Sequence, residues 1–172
     1  MILFLNGTLD DCLTLKSDTS GNLRWYIDAA FAVHPDFRSH TGGNLTMGKG
    51  AILSSSIKQK SNTRSSTEAE LVGTDDILSQ ILWALRFLEA QGYKIIKNVI
   101  FRDNQSTMKL ETNGRTSTGK RTRHLSIRFF YITDQIDKKQ VSIEYCPTED
   151  MMADYMSKPL QGKNLFYFAR KS

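Results

Sequence analysis

The chain reads as an α/β fold: a mixed sheet of five strands with helices packed against it. Three observations predict this. Apolar periodicity switches from two residues to a helical repeat after Ser65-Ser66-Thr67, a second apolar and partly β-branched stretch follows that helix, and the resulting order is three strands, helix, strand, helix, helix, strand, helix. With 172 residues, 40% hydrophobic and 24% charged, the composition is that of one globular domain, because two half-length domains would each be marginal.

Residues 1–22 read as a loose leader, with turn chemistry at Asn6-Gly7, Asp10-Asp11 and Ser20-Gly21-Asn22 around the apolar pair Leu13 and Leu15. Leu23, Trp25, Ile27, Ala29, Phe31 and Val33 then alternate with Arg24, Tyr26, Asp28, Ala30, Ala32 and His34, which predicts a strand with one apolar face and Asp28 on the other. Short strands at 43–47 and 51–57, separated by Gly48-Lys49-Gly50, predict a hairpin beside the first strand. Leu71, Leu78, Ile81, Leu82, Leu85 and Leu88 form the stripe of a long helix that Gly92 stops. Residues 95–101 read as a buried strand ending at Asp103, followed by a short helix from Gln105 to about residue 112, closed near Asn113-Gly114. A helix over 122–135 would bury Leu125, Phe129 and Ile132, and Val141, Ile143 and Tyr145 alternate as a fifth strand. Pro147-Thr148 opens a last helix that Pro159 ends after Lys158, and the tail beyond carries Leu165, Phe166, Tyr167 and Phe168.

The apolar start at 1–5 is too short for a signal-peptide core, and no later segment reaches the roughly 20 apolar residues needed to cross a bilayer. Cys12 and Cys146 lie far apart without CxxC spacing, so neither a disulfide framework nor a cysteine zinc site is expected, and a reducing intracellular setting fits. The net charge of +5 is modest but segregated. Residues 37–67 hold no carboxylate but carry Arg38, Lys49, Lys58, Lys60 and Arg64; residues 112–133 hold none but carry Arg115, Lys120, Arg121, Arg123 and Arg128. Such segregation is either a solvated face or an electropositive surface for a polyanion, most often nucleic acid.

Several carboxylates sit where structure alone does not reward them. Aspartate is a poor strand residue, yet Asp28 interrupts an apolar strand and Asp103 ends another. At neighbouring strand ends they would share a ligand site; separately, each would cap a loop or accept backbone bonds. Thr67/Glu70 and Ser65/Glu68 both have capping-box spacing at the start of the long helix. Only one can be the cap, and Glu70, next to the buried Leu71, is the better placed to be free. Asp150 and Asp154 stand at i and i+4 of the predicted last helix, an unfavourable like-charge pair unless a cation lies beside them. Two strand aspartates, a helix glutamate and a helix aspartate would make an oxygen-only set suited to Mg²⁺ or Mn²⁺, whereas His34, His40 and His124 are dispersed in sequence. Two such ions about 4 Å apart clamp attacking water and leaving oxygen in phosphoryl displacement.

WYIDAAFA at 25–32, SSTEAEL at 65–71, RDNQS at 102–106 and TEDMMAD at 148–154, with HTGG at 40–43 and KRTRH at 120–124 between them, resemble the ribonuclease H domain of copia-type LTR-retrotransposon Pol polyproteins. The similarity spans about residues 23–160; LNGT at 5–8 looks like the connection that follows the reverse transcriptase, and 161–172 is left as a tail. The resemblance implies a ribonuclease H-like fold, antiparallel strands 1–3 followed by strands 4 and 5, with helices on both faces. It also implies catalytic, metal-holding acids at Asp28, Glu70, Asp103 and Asp154, with two Mg²⁺ ions that Mn²⁺ can replace, Asp28 bridging them and Asp154 serving the ion that activates water. The activity implied is hydrolysis of the RNA strand of an RNA/DNA hybrid, leaving a 3′-hydroxyl and a 5′-phosphate. The partners implied are that hybrid and the reverse transcriptase of the same polyprotein, in a cytoplasmic retroelement particle or the nucleus.

RNA choice would come from 2′-hydroxyl contacts in the minor groove, with Ser66, Thr67, Asn104 and Gln105 as candidates that serve equally as helix caps. Arg121, Arg123 and His124 are candidates for phosphate contact or a solvated helix face. One departure stands out: the histidine that cellular ribonucleases H carry ahead of the last aspartate is absent from Glu144-Tyr145-Cys146-Pro147, which points to slower product release. Two other readings remain, a silent hybrid-tethering domain and a 3′ exonuclease of the acidic-cluster type. The carboxylate cluster also leads to the expectation that Asp28→Asn or Asp103→Asn relieves repulsion in the metal-free protein.

Overall fold

The computed structural model describes residues 12–113 and 126–158, together with Asn6 and Leu9. Chain order is β1 (Lys16–Ser17), β2 (Asn22–Ala30), β3 (His40–Thr46), β4 (Gly48–Lys49), β5 (Ala51–Lys58), α1 (Ser66–Ala90), β6 (Lys97–Arg102), α2 (Gln105–Asn113), α3 (Ser126–Asp137) and β7 (Ser142–Tyr145). A 3₁₀ turn (Thr148–Asp150) and the short helix α4 (Asp154–Ser157) complete it. Five strands form one mixed sheet in the order β5-β3-β2-β6-β7, with β2, β3 and β5 antiparallel and β6 and β7 parallel additions. Part of the segment read as a leader pairs after all, since β1 joins β4 in a separate two-stranded ladder and Asp18 N donates to Met47 O at 3.0 Å.

Strand alternation sets the two faces of the sheet. Leu23, Trp25 and Ile27 of β2 enter the main core with Leu45 of β3, Ile100 of β6, and Leu71, Ile77, Leu78 and Ile81 of α1. On the opposite face Tyr26 stacks on Phe101 at a ring distance of 5.0 Å and meets a smaller cluster of Cys146, Met151 and Ala153. Both faces are therefore covered, one by α1 and the other by the segment that ends in α4.

The adjacent glycines of β3 make that double cover possible. A Cβ on Gly42 would lie 2.6 Å from Ala153 O and 2.7 Å from Ser157 N, so the backbone of the last segment reaches the sheet only because Gly42 has no side chain. A Cβ on Gly43 would collide with Ile77 Cδ1 on the α1 side.

Two expectations fail locally. The first long strand stops at Ala30, because Ala32 turns to φ 52° and its N–H donates to Ser39 Oγ at 3.1 Å; Phe31 and Val33 are exposed instead of lying on the apolar face. The last helix is broken: Met151 at ψ 88° is not helical, Asn44 Nδ2 takes Met152 O at 3.0 Å, and Met151 and Ala153 are fully buried. Asp150 and Asp154 thus do not share a helix, and Asp154 opens its own first turn. His34 Nε2 and His40 Nδ1 share a hydrogen bond at 3.0 Å, while His124 is outside the described residues. Ile132 is buried as expected, but the Leu125 and Phe129 side chains fall outside the description. No helix among the described residues is long and apolar enough to cross a membrane.

Candidate active site

Asp28 stands near the end of β2 and Asp103 directly follows β6, its parallel neighbour, so adjacent strands deliver both to one end of the sheet. α4 brings Asp154 against them from the face that Gly42 leaves open. Carboxylate oxygens of Asp28, Asp103 and Asp154 all lie within 4.8 Å of one another. The last segment is pinned there by Asn44 on Met152 O, by Ser56 Oγ donating to Met156 O at 2.8 Å, and by Thr148 Oγ1 donating to Asp103 Oδ2 at 3.2 Å.

Glu70 is freed in the way the capping argument anticipates. Ser65 caps α1 by accepting from Glu68 N at 3.2 Å, and Glu68 Oε2 reaches back to accept from Arg64 N at 2.7 Å. Glu70, one turn into the helix, is buried beside the cluster but is not one of the three mutually close carboxylates. Its Oε2 accepts from Arg102 Nη1 at 2.6 Å, and its Oε1 from Ala29 N at 3.4 Å. Arg102 is fully buried and also binds Glu111, which is equally buried on α2.

The electrostatics are those of crowded acids with two built-in cations. Burial pushes the Glu70 carboxyl up to about 8; Arg102 pulls it down, and the charges of Asp28 and Asp103 raise it further. Burial likewise lifts Asp154 to about 6, with Lys158 opposing and Asp28 reinforcing the rise. Burial works against ionised Asp28 too, but the Lys158 ammonium and the Ser157 hydroxyl, which donates to Asp28 Oδ2, hold it below the usual carboxylate range. Lys158 Nζ lies 2.7 Å from Asp154 Oδ1 and 3.2 Å from Asp28 Oδ2, so an ammonium already sits where the oxygens converge. An all-oxygen carboxylate set suits a hard divalent ion. The ion pair bears on the expected relief of repulsion, because Asp28→Asn would also remove the attraction to Lys158.

The candidate nucleic-acid residues divide. Ser66 is exposed and Thr67 half-buried at the start of α1, and Gln105 is exposed at the start of α2. Asn104 caps α2, its Oδ1 accepting from Ser106 N at 3.0 Å and Thr107 N at 3.3 Å. Arg121, Arg123 and His124 lie outside the described residues. Of the basic residues in the acid-free stretches, Arg38 and Lys58 both pair with Asp36, and Arg128 pairs with Asp75.

Sequence reasoning passed over Arg102, Glu111, Ser157 and Lys158. Arg102 was detectable, because it follows Ile100 by two residues and so points to the same core-facing side of β6. The other three are recognisable only once the chain is folded.

No protein-family model matches the chain. Among solved structures it resembles LC11-RNase H1, isolated from compost by a metagenomic approach, with a TM-score of 0.56 at 18% identity over 79% of this chain and 92% of that one. The same enzyme in complex with an RNA/DNA hybrid matches with a TM-score of 0.54 at 12% identity, covering 78% and 92%. The domain therefore has the ribonuclease H fold, with a buried acidic cluster at the end of its central strands. In sequence it is 31% identical, over 159 residues and 92% of its length, to the retrovirus-related Pol polyprotein from transposon TNT 1-94 of Nicotiana tabacum. It is a homologue of one segment of such plant-transposon polyproteins, and it spans 12% of the length of the curated relatives it matches.

Proposed function

We propose that this domain is a metal-dependent endonuclease that hydrolyses the RNA strand of RNA/DNA hybrids made during reverse transcription of a retrotransposon. The observation that carries the proposal is the convergence of Asp28, Asp103 and Asp154 oxygens within 4.8 Å, with Glu70 at their edge, on a ribonuclease H fold. Residues 23–160 form the nuclease, 1–22 the connection from the reverse transcriptase and 161–172 a tail, in an intracellular retroelement particle.

Asp28, Glu70, Asp103 and Asp154 would hold two Mg²⁺ ions, or Mn²⁺ in their place, which would supply activation of the attacking water and charge neutralisation at the leaving oxygen for a cleavage that yields a 3′-hydroxyl and a 5′-phosphate. The chain's own residues do the rest. The strand ends fix Asp28 and Asp103 on the sheet, and Gly42 admits the backbone that carries Asp154. Lys158 gives the buried Asp28 carboxylate a counter-ion and so favours its ionised form. Ser66, Thr67 and Gln105, at helix starts close in sequence to Glu70 and Asp103, would meet the minor groove, where the 2′-hydroxyl distinguishes RNA from DNA. Asn104 would contribute through its amide nitrogen, since its oxygen is committed to the cap. Arg121, Arg123 and His124 would contact phosphates.

The test is incubation of the purified chain with an end-labelled RNA/DNA hybrid, with Mg²⁺, with Mn²⁺ and with chelator, beside Asp28→Asn. Internal cuts in the RNA strand alone, dependent on metal and absent in the variant, are the expected result. Tight binding without cuts would replace this reading with that of a tethering domain for an upstream reverse transcriptase.

A further inference from the structure

Arg102 has no part in the chemistry above, yet it is the best-connected side chain near the site. It is fully buried. Its Nη1 donates to Ile27 O at 3.0 Å and to Glu70 Oε2 at 2.6 Å, and its Nη2 to Glu70 O at 2.7 Å and to Glu111 Oε1 at 3.0 Å. Ile27 immediately precedes Asp28, and Arg102 itself immediately precedes Asp103. One guanidinium thus ties the backbone beside Asp28, both the carboxylate and the carbonyl of Glu70, and the strand that ends in Asp103.

That arrangement carries a conflict which Glu111 resolves. With Glu70 as its sole counter-ion, Arg102 would compete with any divalent cation for the same carboxylate. Glu111 has no exposed atoms in its side chain and binds Nη2, the terminal nitrogen that does not bond the Glu70 carboxylate; Thr74 Oγ1 fixes it by donating to its Oε1 at 2.5 Å and also reaches Glu70 O at 3.3 Å. Glu111 therefore gives Arg102 a permanent partner, leaving the charge of Glu70 available to an incoming ion while its position stays fixed.

We propose that Arg102, balanced by Glu111, is a positioning residue that sets Glu70 relative to Asp28 and Asp103 and thereby sets how tightly the site takes a divalent cation. The inference rests on the metal-dependent reading above and goes beyond its four acids.

The test is Mn²⁺ binding to the full chain without nucleic acid, by calorimetry and electron paramagnetic resonance. Glu111→Gln keeps an acceptor for Arg102 and Thr74 but removes the balancing charge, so Arg102 must draw on Glu70. The expected result is a folded protein whose Mn²⁺ dissociation constant rises about tenfold or more, with hybrid cleavage restored by raising the metal concentration. The double variant Arg102→Met with Glu111→Leu removes both charges and serves if the single variant does not fold. It should bind Mn²⁺ at least as tightly as wild type but cleave slowly at saturating metal, because Glu70 is released yet no longer held. Wild-type Mn²⁺ affinity in Glu111→Gln, or wild-type cleavage in the double variant, would overturn the proposal. If Asp28→Asn abolishes Mn²⁺ uptake while Glu111→Gln leaves it unmoved, this inference falls and the nuclease reading stands. A wild-type chain that takes up no Mn²⁺ would sink both.

Discussion

Replacing Gly42 by alanine puts a methyl carbon 2.6 Å from Ala153 O, 2.7 Å from Ser157 N and 2.9 Å from the Met156 carbonyl carbon. All three are backbone atoms of the segment that carries Asp154, so no rotamer change can relieve the overlap. To reach an ordinary carbon contact of roughly 3.5 Å the segment must retreat by up to about 1 Å. Overpacking of this kind costs about 1–3 kcal/mol, and a displacement of about 1 Å in a catalytic constellation is worth about a hundredfold in rate. Gly42→Ala should therefore remain folded at 25 °C and lose roughly two orders of magnitude in metal-dependent hybrid cleavage. Gly43→Ala, one residue along, is the control. Its methyl meets the terminal carbon of Ile77, the far end of a flexible side chain on the opposite face, so it should lower the melting temperature while leaving turnover within about threefold of wild type. Thermal melts beside initial cleavage rates at saturating Mg²⁺ separate the two outcomes. Full activity in Gly42→Ala would refute the argument that the glycine is there to admit Asp154.

Asp28→Asn should abolish cleavage and also lower metal-free stability by about 1 kcal/mol, because it breaks the contact with Lys158; Asp103→Asn, outside that ion pair, should abolish cleavage without this loss, as chemical denaturation in chelator would show. In chelator, stability should fall as pH rises from about 5 to 8. Glu70 and Asp154 have folded values raised to about 8 and about 6, so the native state still binds protons that the unfolded chain has released. Each such proton gives a slope of about 1.4 kcal/mol per pH unit, and saturating Mg²⁺ should flatten it; a metal-free protein whose stability rises over that range contradicts the assignment. Hybrid affinity should drop steeply between 50 and 200 mM salt, by about tenfold or more if several phosphates are neutralised, and a flat response would remove the acid-free stretches from the interface.

The parts of the site legible in the sequence are those written in local pattern. Alternation through Trp25 and Ile27 placed Asp28 on the opposite face, the end of the apolar run 99–101 placed Asp103, and competing capping boxes separated Glu68 from Glu70. What stayed hidden depends on contacts between distant segments. Gly42 is one of two glycines in a strand until the backbone of residues 153–157 is laid across it. The break in the last helix follows from Asn44, more than a hundred residues earlier, capturing the Met152 carbonyl. The extent of the first strand was overread for a different reason: Phe31 and Val33 continue the alternation, but the Ser39 hydroxyl captures the Ala32 amide and ends the ladder.

The arrangement of charge explains how such a cluster of acids is accommodated in the fold. Asp28, Glu70, Asp103, Asp154 and Glu111 bring five carboxylates to one end of the sheet, and Arg102 and Lys158 bring two cations. Burial opposes ionisation of Glu70, whose carboxyl is pushed up to about 8, while the Arg102 guanidinium works in the other direction. The cations differ in what they permit. Arg102 is wholly enclosed and bonded at both terminal nitrogens, and it shares its charge between Glu70 and Glu111. Lys158 keeps 39% of its side chain exposed on a flexible stem, so its ion pairs with Asp28 and Asp154 are open to solvent on one side. A fixed, enclosed cation and a half-exposed, flexible one thus offset the same group of acids in different ways.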